Sequence, residues 1–368
     1  MGNSNSLTAL ALQKFKKNFW GVFSLVILVF AVLIAVFAYV IAPDNTRNAN
    51  QMHVSVHSKA PGFKVQILSV PTALDIDQSA INAFFFGKQS SVAEIPISSY
   101  DLTDAGIKIT EYTQDGLEGL QKTYALSQFP EATTPAQIAD RYVMQKKFVL
   151  GTDKYGRDLL SRMLVGIRIS LAIGFVSVLI SLLLGMTLGA IAGYYGGRVD
   201  TVIMWIINVT WSIPTLLLVI AITLALGKGF WQVFIAVGLT MWVEVARVVR
   251  GQVMSVKNMQ YVTAAQALGF GNFRVITKHI IPNILAPVIV ISAANFAAAI
   301  LIESGLSFLG IGAQPPMPSW GGMIKDHYSY IVLGKPFLAI IPGLAIMILV
   351  MAFMLMGNAL RDALDVKT

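Results

Sequence analysis

Long uninterrupted runs of uncharged, mostly apolar residues restrict this chain more than any other feature. Four runs cover residues 19–42, 169–197, 201–227 and 336–360, with lengths of 24, 29, 27 and 25 residues. A helix needs about 20 apolar residues to cross the hydrocarbon core of a bilayer. Each run is therefore long enough to form a membrane-spanning helix.

Two further runs complete the set. Residues 280–302 are uncharged up to Glu303, and residues 229–243 extend to about 249 if two charged positions lie at the membrane boundary. The sequence therefore predicts an all-α polytopic membrane protein with six transmembrane helices. The first run is too long for a signal peptide and lacks a small-residue cleavage site, so we expect it to remain as an anchor.

Composition excludes several other classes of protein. Hydrophobic residues make up 55% of the chain and charged residues 12%, whereas a soluble domain is about 25% charged. Disordered chains are poor in apolar residues, so disorder is excluded as well. In so apolar a chain, the net charge of +8 indicates basic cytoplasmic loops rather than nucleic-acid binding. The absence of cysteine excludes disulfides, zinc–thiolate sites and iron–sulfur clusters.

The positions of lysine and arginine predict the orientation of the helices, because both residues are enriched in cytoplasmic loops. With the N-terminus inside, the short outer loops hold three, Lys228, Lys325 and Lys335. The cytoplasmic segments hold eleven, which are Lys14, Lys16, Lys17, Arg198, Arg247, Arg250, Lys257, Arg274, Lys278, Arg361 and Lys367. We therefore expect both termini to be cytoplasmic.

Residues 43–150 differ from the rest of the chain. These 108 positions hold 20 of the 46 charged residues and no run long enough to span a bilayer. Local patterns predict strands at 65–70 and 107–113, a turn at Asp115-Gly116, and a helix over 136–147 that begins behind Thr134 and Pro135. We expect a small α+β extracytoplasmic domain inserted between helices 1 and 2. The predicted parts are then 1–42, the inserted domain 43–150, and a five-helix core 151–368.

The sequence contains none of the common catalytic motifs. A phosphate-cradling loop needs a Gly-Lys pair followed by Ser or Thr, but every Gly-Lys pair here is followed by Gln, Gly or Pro. His53 and His57 have i, i+4 spacing with no carboxylate in that pattern, so we interpret them as solvated surface residues rather than metal ligands. We expect no catalytic, cofactor or metal site on this chain.

Polar residues within the predicted helices are candidates for lining a translocation pathway, because polar groups in lipid usually face a partner or a path. The candidates are Asn208, Trp211, Ser212, Ser292 and Asn295. The alternative is that they join neighbouring helices by hydrogen bonds. Pro214 is expected to kink helix 3. Glu244 is expected to pair with Arg247 one turn later, and Glu303 to lie at the outer end of helix 5.

The cytoplasmic loop 250–282 between helices 4 and 5 holds four basic residues and no acidic one. Within it, residues 261–268 favour a helix that ends at Gly269, the expected residue just past a helix C-terminus. The spacing predicts one small apolar face, made of Val262, Ala264, Ala265 and Leu268. Such a face fits a groove on another protein, or the helix could rest on anionic lipid headgroups. The spacing alone leaves both open.

This loop resembles the Glu-Ala-Ala motif of ABC-importer permeases. The matching residues are Thr263-Ala264-Ala265, Gly269 and Ile281-Pro282, with Thr263 where glutamate is usual and His279 where an aliphatic residue is usual. The resemblance implies that the short helix docks in a cleft on an ATPase subunit. The residues implied in docking are Tyr261, Val262, Thr263, Ala264, Ala265, Leu268, Gly269 and Pro282.

Other segments resemble the C-type subunit of dipeptide/oligopeptide permeases. The matching segments are residues 150–162, 246–252, 279–283, 307–312, 315–321 and 360–365. The resemblance covers about residues 10–42 and 148–368 and says nothing about the insertion between them. It implies the type I ABC-importer permease fold, in the bacterial cytoplasmic (inner) membrane.

The function that this resemblance implies is a non-catalytic permease subunit of an ATP-driven importer of dipeptides or oligopeptides. The implied partners are a second, homologous permease subunit in a heterodimer, two ABC ATPase subunits that bind ATP and Mg²⁺, and an extracytoplasmic peptide-binding protein or lipoprotein. Membrane lipid surrounds the chain, and no nucleic acid is involved. One alternative is a cargo of nickel or another small solute. The other is an ion-gradient-driven secondary transporter, for which Glu244 and Glu303 are the support.

Two of the matching segments also predict local structure. Between 151 and 162, three opposite-charge pairs have i, i+4 spacing, namely Asp153/Arg157, Lys154/Asp158 and Asp158/Arg162. They predict a short helix at the outer membrane surface. In the outer loop at 315–320, three prolines stiffen the chain, and Trp320 is expected to anchor the loop at the membrane interface. Both features could shape the rim that receives a binding protein, or they could serve structural anchoring alone.

Overall fold

The computed structural model describes residues 7–72, 78–114, 117–227 and 229–364. The α-helices of these residues are α1 (Leu7–Lys17), α2 (Phe19–Ile41), α3 (Ala80–Phe86), α4 (Pro135–Tyr142), α5 (Leu159–Tyr195), α6 (Gly197–Ser212), α7 (Thr215–Leu226), α8 (Phe230–Val256), α9 (Gln260–Ala267), α10 (Asn272–Arg274), α11 (Leu285–Phe308), α12 (Trp320–His327) and α13 (Phe337–Leu364). A π-helical turn, Val275–Ile280, and a 3₁₀ turn, Ile281–Ile284, connect α10 to α11.

Five helical stretches among the described residues are long and apolar enough to cross a membrane. They are α2, α5, α8, the stretch 272–308 and α13. The remaining predicted span is a bent pair, because α6 and α7 meet at 93°. Ile213 is extended (φ −89°, ψ 128°), since a residue before proline avoids the helical region and Pro214 offers no N–H. The predicted kink is confirmed, and its size makes this element a broken span or a re-entrant loop.

A five-stranded antiparallel sheet confirms that the chain contains a small α+β region. Its strands are β1 (Phe63–Pro71), β2 (Val92–Thr103), β3 (Gly106–Glu111), β4 (Gln121–Ala125) and β5 (Val143–Phe148), in the order β4-β3-β2-β1-β5. The buried face of the sheet packs with α4, and its core includes Leu68, Ile107, Ile109 and Ile138. The strands predicted at 65–70 and 107–113 correspond to β1 and β3.

One sequence prediction in this region is wrong. The helix predicted over 136–147 ends at Tyr142, and the residues that follow form β5, which pairs with β1 from Phe63↔Phe148 to Leu68↔Val143. Val143 is β-branched and extended, and the free edge of β1 offers its backbone hydrogen-bond partners, so tertiary pairing overrides the local helical pattern. The turn predicted at Asp115-Gly116 lies outside the described residues, as do Lys228, Asp365 and Lys367.

The chain divides into two compact units. One contains residues 33–169 and 315–343, and the other contains the described parts of 1–32, 170–314 and 344–368. The first unit holds the sheet. It contains more of the chain than the inserted domain predicted at 43–150, because residues 33–42, 151–169 and 315–343 also belong to it.

Residues 151–158 of the sheet-containing unit do not form the predicted helix. Gly151 and Gly156 have φ of +81° and +73°, which interrupts helical geometry, and a Cβ on Gly156 would lie 1.8 Å from the carbonyl oxygen of His53. The Asp153/Arg157 pair forms at 2.6 Å. Lys154 instead pairs with Asp326 at 3.0 Å.

The third predicted pair of this segment is also absent from the described ion pairs. Asp158 accepts a hydrogen bond from the Ser161 backbone N–H at 2.8 Å, while Arg162 lies 3.7 Å from Asp153. The interfacial position predicted for Trp320 is wrong, because this residue is buried and donates its indole N–H to the Met163 carbonyl at 3.1 Å. This tryptophan therefore anchors its loop within the protein.

His53 is buried, contrary to the prediction of a solvated surface residue. Its Nε2 lies 3.1 Å from Glu94 Oε2, which is also 2.6 Å from Lys146 Nζ. Burial raises the pKa of Glu94, but its hydrogen bond with His53 and the charge of Lys146 outweigh that effect and hold the pKa below its usual value. The carboxylate links β2 and β5 to the segment that precedes the sheet.

Candidate functional site

The short helix α9 in the loop between α8 and α11 ends in a complete Schellman motif. The Phe270 N–H donates to the Ala265 carbonyl at 3.2 Å, and the Gly269 N–H donates to the Gln266 carbonyl at 2.9 Å. Gly269 has φ +79°, a conformation that glycine adopts without a Cβ penalty. The predicted helix end at Gly269 is confirmed.

Two apolar stripes run along α9 rather than the single face that the sequence predicted. Val262 and Ala265 are buried within the chain, whereas Ala264 and Leu268 are exposed, Leu268 by 74%. With Tyr261, the exposed pair has i, i+3, i+7 spacing, which places the three on one side of the helix. Val262 and Ala265 are therefore excluded from direct contact with a partner as long as this packing persists.

The buried stripe of α9 rests on a core that reaches the adjoining helices. Val262 and Ala265 pack with Val275 and Ile280 of the π-helical turn and with residues of α8. Because interiors are close-packed and resist deformation, this contact joins α9 to the start of the long stretch 272–308 as one body. The sequence did not predict this core, since the π-helical turn has no recognisable pattern.

Phe270, the residue just past the cap, lies between two side chains of the same loop. The guanidinium of Arg274 is 4.2 Å from its ring centre, and the His279 ring stacks on it at 5.9 Å with an angle of 16°. Histidine at position 279, where relatives were expected to carry an aliphatic residue, thus packs against an aromatic neighbour.

The exposed side of this loop holds a residue that the sequence analysis missed. Phe273 in α10 is 81% exposed, and Met259 at the start of α9 is 49% exposed. In the sequence, Phe273 lies between the Gly271-Asn272 pair and Arg274. An aromatic residue with such polar neighbours could have indicated an exposed contact residue. The exposed apolar residues Tyr261, Ala264, Leu268 and Phe273 of this loop are together called the docking face. Of the other residues implied in docking, Thr263 and Pro282 are also exposed.

A tyrosine near the end of α5 is hydrogen-bonded to both sides of the loop. The Tyr194 hydroxyl accepts a hydrogen bond from Gln266 Nε2 at 3.1 Å and donates one to Asn272 Oδ1 at 2.9 Å. Lys257 donates to the Gly193 carbonyl at 3.0 Å. Three residues of the loop, Lys257, Gln266 and Asn272, are therefore hydrogen-bonded to the last turn of α5.

Two arginines of α8 hold α6. Arg250 forms a bidentate contact with Asp200, at 2.5 and 2.6 Å. One turn earlier, Arg247 donates to Asn208 Oδ1 at 2.7 Å, and its guanidinium lies 3.4 Å from the centre of the Trp211 ring. The predicted pairing of Arg247 with Glu244 is replaced by these contacts.

The other pathway candidates do not gather around this arginine. Ser212 and Ser292 donate to carbonyls of their own helices, at 2.7 Å (Val209) and 2.6 Å (Val288). Asn295 is buried, and its Nδ2 has no hydrogen-bond partner among the described residues. Of the five candidates, the structure brings two together, Asn208 and Trp211.

A cavity of about 180 Å³ lies beside this region. Trp211, Thr240 and Glu244 contribute its polar and aromatic lining, and Ala298 and Ile302 of α11 close it. Glu303 is buried and accepts a hydrogen bond from Ser307 Oγ at 2.6 Å. Within the described residues, no group of three or more histidines or acidic residues could hold a metal ion.

Comparisons with known proteins identify two family models in the sequence. Residues 185–368 match the model described as "Binding-protein-dependent transport system inner membrane component". Residues 6–61 match the "N-terminal TM domain of oligopeptide transport permease C".

Three curated relatives illustrate the similarity. A glutathione transport system permease protein of Pectobacterium atrosepticum is 43% identical over 59% of this chain and 72% of its own length. A dipeptide transport system permease protein of Bacillus subtilis is 42% identical over 59% and 68%. An oligopeptide transport system permease protein of the same organism is 39% identical over 66% and 78%.

Proposed function

This chain belongs to the family of binding-protein-dependent transport system inner membrane components, and on that premise we propose that it is a permease subunit of an ATP-driven peptide importer. The curated relatives are named for dipeptides, oligopeptides and glutathione, itself a peptide, at 39–43% identity. These names support a peptide cargo over nickel or another small solute. The chain is a transport subunit and not an enzyme.

The observation that carries the coupling part of the proposal is the docking face. It presents Tyr261, Ala264, Leu268 and Phe273 to solvent, in a loop without acidic residues. Apolar side chains at helical spacing are the anchors by which a helix binds a groove. The occupant we propose is an ATPase subunit, and the buried Val262 and Ala265 support the helix from below.

In the proposed transport cycle, the packing of Val262 and Ala265 beneath α9 transmits movement. ATP and Mg²⁺ bind to the two ATPase subunits, whose closure moves α9. Because α9 shares a core with Val275 and Ile280 and hydrogen bonds with Tyr194, the movement passes to α5 and α11. Together with a second, homologous permease subunit, the helices then alternate between inward and outward openings, as a shift between two states with different contacts.

We further propose that the peptide path includes the surface around Arg247. Asn208 and Trp211 hold this guanidinium near a cavity that Glu244 lines. An arginine and a glutamate one turn apart complement the two charged ends of a peptide. Asn295 contributes a polar group in α11, whereas the local bonds of Ser212 and Ser292 favour a role in helix geometry.

The proposed location is the bacterial cytoplasmic membrane, with both termini inside. Residues 43–150 then lie outside, where an extracytoplasmic binding protein or lipoprotein delivers peptide. Since the chain lacks cysteine, single-cysteine variants report topology directly. Leu117→Cys should react with an impermeant maleimide in outer-membrane-permeabilised cells, and Arg198→Cys, at an exposed position outside the docking face, should react after lysis only. The reverse pattern would overturn this orientation.

Isolation of the tagged chain in mild detergent tests the proposed assembly. We expect two ATPase subunits and a second permease to co-purify with the wild-type chain. Leu268→Asp should release the ATPase subunits and retain the second permease. A matched change at another highly exposed apolar residue, Val332→Asp (Val332 is 90% exposed), should release neither. Recovery of the wild-type chain without any ATPase subunit would contradict the proposal.

A further inference from the structure

The short helix α3 exposes large apolar side chains that no other described part of its sheet-containing unit covers. Its sequence is Ala-Ile-Asn-Ala-Phe-Phe-Phe, and none of its residues is buried. Ile81, Phe85 and Phe86 are 72%, 50% and 61% exposed. A contiguous exposed apolar patch of this kind marks a surface that another phase or molecule covers.

Contacts within the same unit place α3 beside the last turn of α2. The rings of Phe84 and Phe37 meet edge-on at 6.0 Å, and the Tyr39 ring lies against Gly87. Beyond α2, the Arg47 N–H donates to the Lys88 carbonyl at 3.1 Å, and the Lys88 N–H donates to the Asn45 carbonyl at 2.8 Å. The helix is thus held at both its packed face and its C-terminal end.

The neighbouring part of α2 is exposed and apolar, as a lipid-facing surface is. This helix is one of the five candidate spans, and its last turns expose Phe37, Val40 and Ile41 by 45%, 62% and 51%. Phe37 lies four residues before the end of α2, or about 6 Å along the axis. Helices in the membrane interface sink by about 5–10 Å, so the exposed side chains of α3 are at the depth where such helices lie.

Charge at this position agrees with the same environment. Arg47 and Lys88 are both exposed and meet through their backbones, beyond the end of α2. Basic side chains at the end of a span reach lipid phosphates, and aromatic side chains prefer the layer just below them. Arg47 and Lys88 follow α2 and α3 along the chain, so both cations are near the apolar residues of α3 and the end of the span.

We propose that α3 is an interfacial anchor that inserts into the leaflet at the Ile41 end of α2. Ile81, Phe85 and Phe86 contact the acyl chains, and Arg47 and Lys88 contact phosphate groups of the headgroups. The region that holds the sheet then contacts the bilayer through α3, in addition to its chain connections to α2 and α5. This inference does not depend on the cargo or on the ATPase partners.

Site-directed spin labelling tests the proposal in the intact chain, because an introduced cysteine is the sole thiol of the sequence. The variants Phe85→Cys and Ile81→Cys are labelled, and the full-length chain is reconstituted in its purified complex. The vesicles contain phosphatidylethanolamine and phosphatidylglycerol. Collision rates with oxygen, which partitions into lipid, and with a water-soluble nickel chelate are then compared. Val40→Cys serves as the lipid reference, and Leu102→Cys on β2 as the aqueous reference.

We expect both α3 labels to collide at least several-fold more often with oxygen than with the nickel chelate, relative to Leu102→Cys, and to approach the Val40→Cys ratio. A ratio at the Leu102→Cys level would overturn the proposal, as it would place α3 in water. An immobile label that both reagents fail to reach would also overturn it, because a protein partner would then cover the patch. Labels at Ile81 and Phe85 probe the same face, so a local folding defect in one variant leaves the other informative.

Discussion

The Tyr194 hydroxyl accepts a hydrogen bond from Gln266 at 3.1 Å, which joins the end of α5 to α9. The same oxygen donates to Asn272 at 2.9 Å, at the start of the stretch that continues into α11. One side chain thus connects the proposed docking helix to two membrane-spanning elements. In the proposed cycle, this connection and the core beneath α9 transmit movement of the ATPase subunits.

Removal of this hydroxyl should weaken coupling without disturbing assembly. Tyr194→Phe deletes two hydrogen bonds at a partly exposed site, each worth about 0.5–1.5 kcal/mol. If about 0.4–1.4 kcal/mol of that energy is used in coupling, peptide-stimulated ATP hydrolysis by the reconstituted complex should fall by about twofold to tenfold. Tyr195→Phe is the matched control, because Tyr195 is exposed and next in sequence, and should leave the rate unchanged. Equal rates for the two variants would contradict a coupling role for Tyr194.

The two apolar stripes of α9 should respond differently to charge. Leu268→Asp changes a side chain that is 74% exposed, so the chain should elute normally in detergent but lose ATPase subunits. Ala265→Arg places an unpaired charge in the core beneath α9, at a cost of several kcal/mol. Its yield and elution profile should therefore worsen even in the absence of ATPase subunits. A well-folded Ala265→Arg chain would show that this packing is dispensable.

The left-handed residue of the Schellman motif provides a test of helix orientation. Gly269→Val should cost about 1–2 kcal/mol because a β-branched residue at φ +79° is strained. Gly271→Val is the matched control, since Gly271 has φ −60° and a Cβ there would meet no atom within 4 Å. We expect faster amide hydrogen exchange over 260–270 and reduced ATPase stimulation in Gly269→Val. Identical exchange in both variants would count against the strain at Gly269.

The junction around His327 should loosen as pH falls. Its Nδ1 lies 2.7 Å from the Met323 carbonyl, and its Nε2 accepts the Lys154 N–H at 3.3 Å. Burial lowers the pKa of His327 against the opposing effect of its hydrogen bond to Met323. The unfolded state then takes up a proton near pH 6.5 and the folded state does not, so stability is present above that pH and declines below it.

This decline should reach at most about 1.4 kcal/mol per pH unit for one proton. Hydrogen exchange of 151–158 and 320–331 measures it, after correction for the intrinsic pH dependence of exchange. His327→Gln can keep one donor and one acceptor in place and does not titrate, so its profile between pH 7.5 and 5.5 should be flat. A wild-type profile as flat as that of His327→Gln would exclude His327 as the source.

Sequence reasoning succeeded where the determinant is local. Gly269 follows from the rule for helix ends, and the break at Pro214 follows from a missing N–H. It failed where the determinant is tertiary. The extended conformation of 143–148 depends on pairing with β1. The burial of Val262 and Ala265 depends on a π-helical turn that lies 10 to 18 residues further along the chain. The pairing of Lys154 with Asp326 likewise joins residues 172 positions apart, which an i, i+4 pattern does not contain.

Uptake of a labelled peptide by reconstituted vesicles tests the central claim, that this chain couples ATP hydrolysis on its partners to peptide import. The vesicles contain the complex and internal ATP, with loaded binding protein outside. We expect uptake that requires hydrolysable ATP, continues after an ionophore abolishes the proton gradient, and is lost in Leu268→Asp. Uptake that proceeds without ATP and follows an imposed proton gradient would contradict the account and favour an ion-driven transporter.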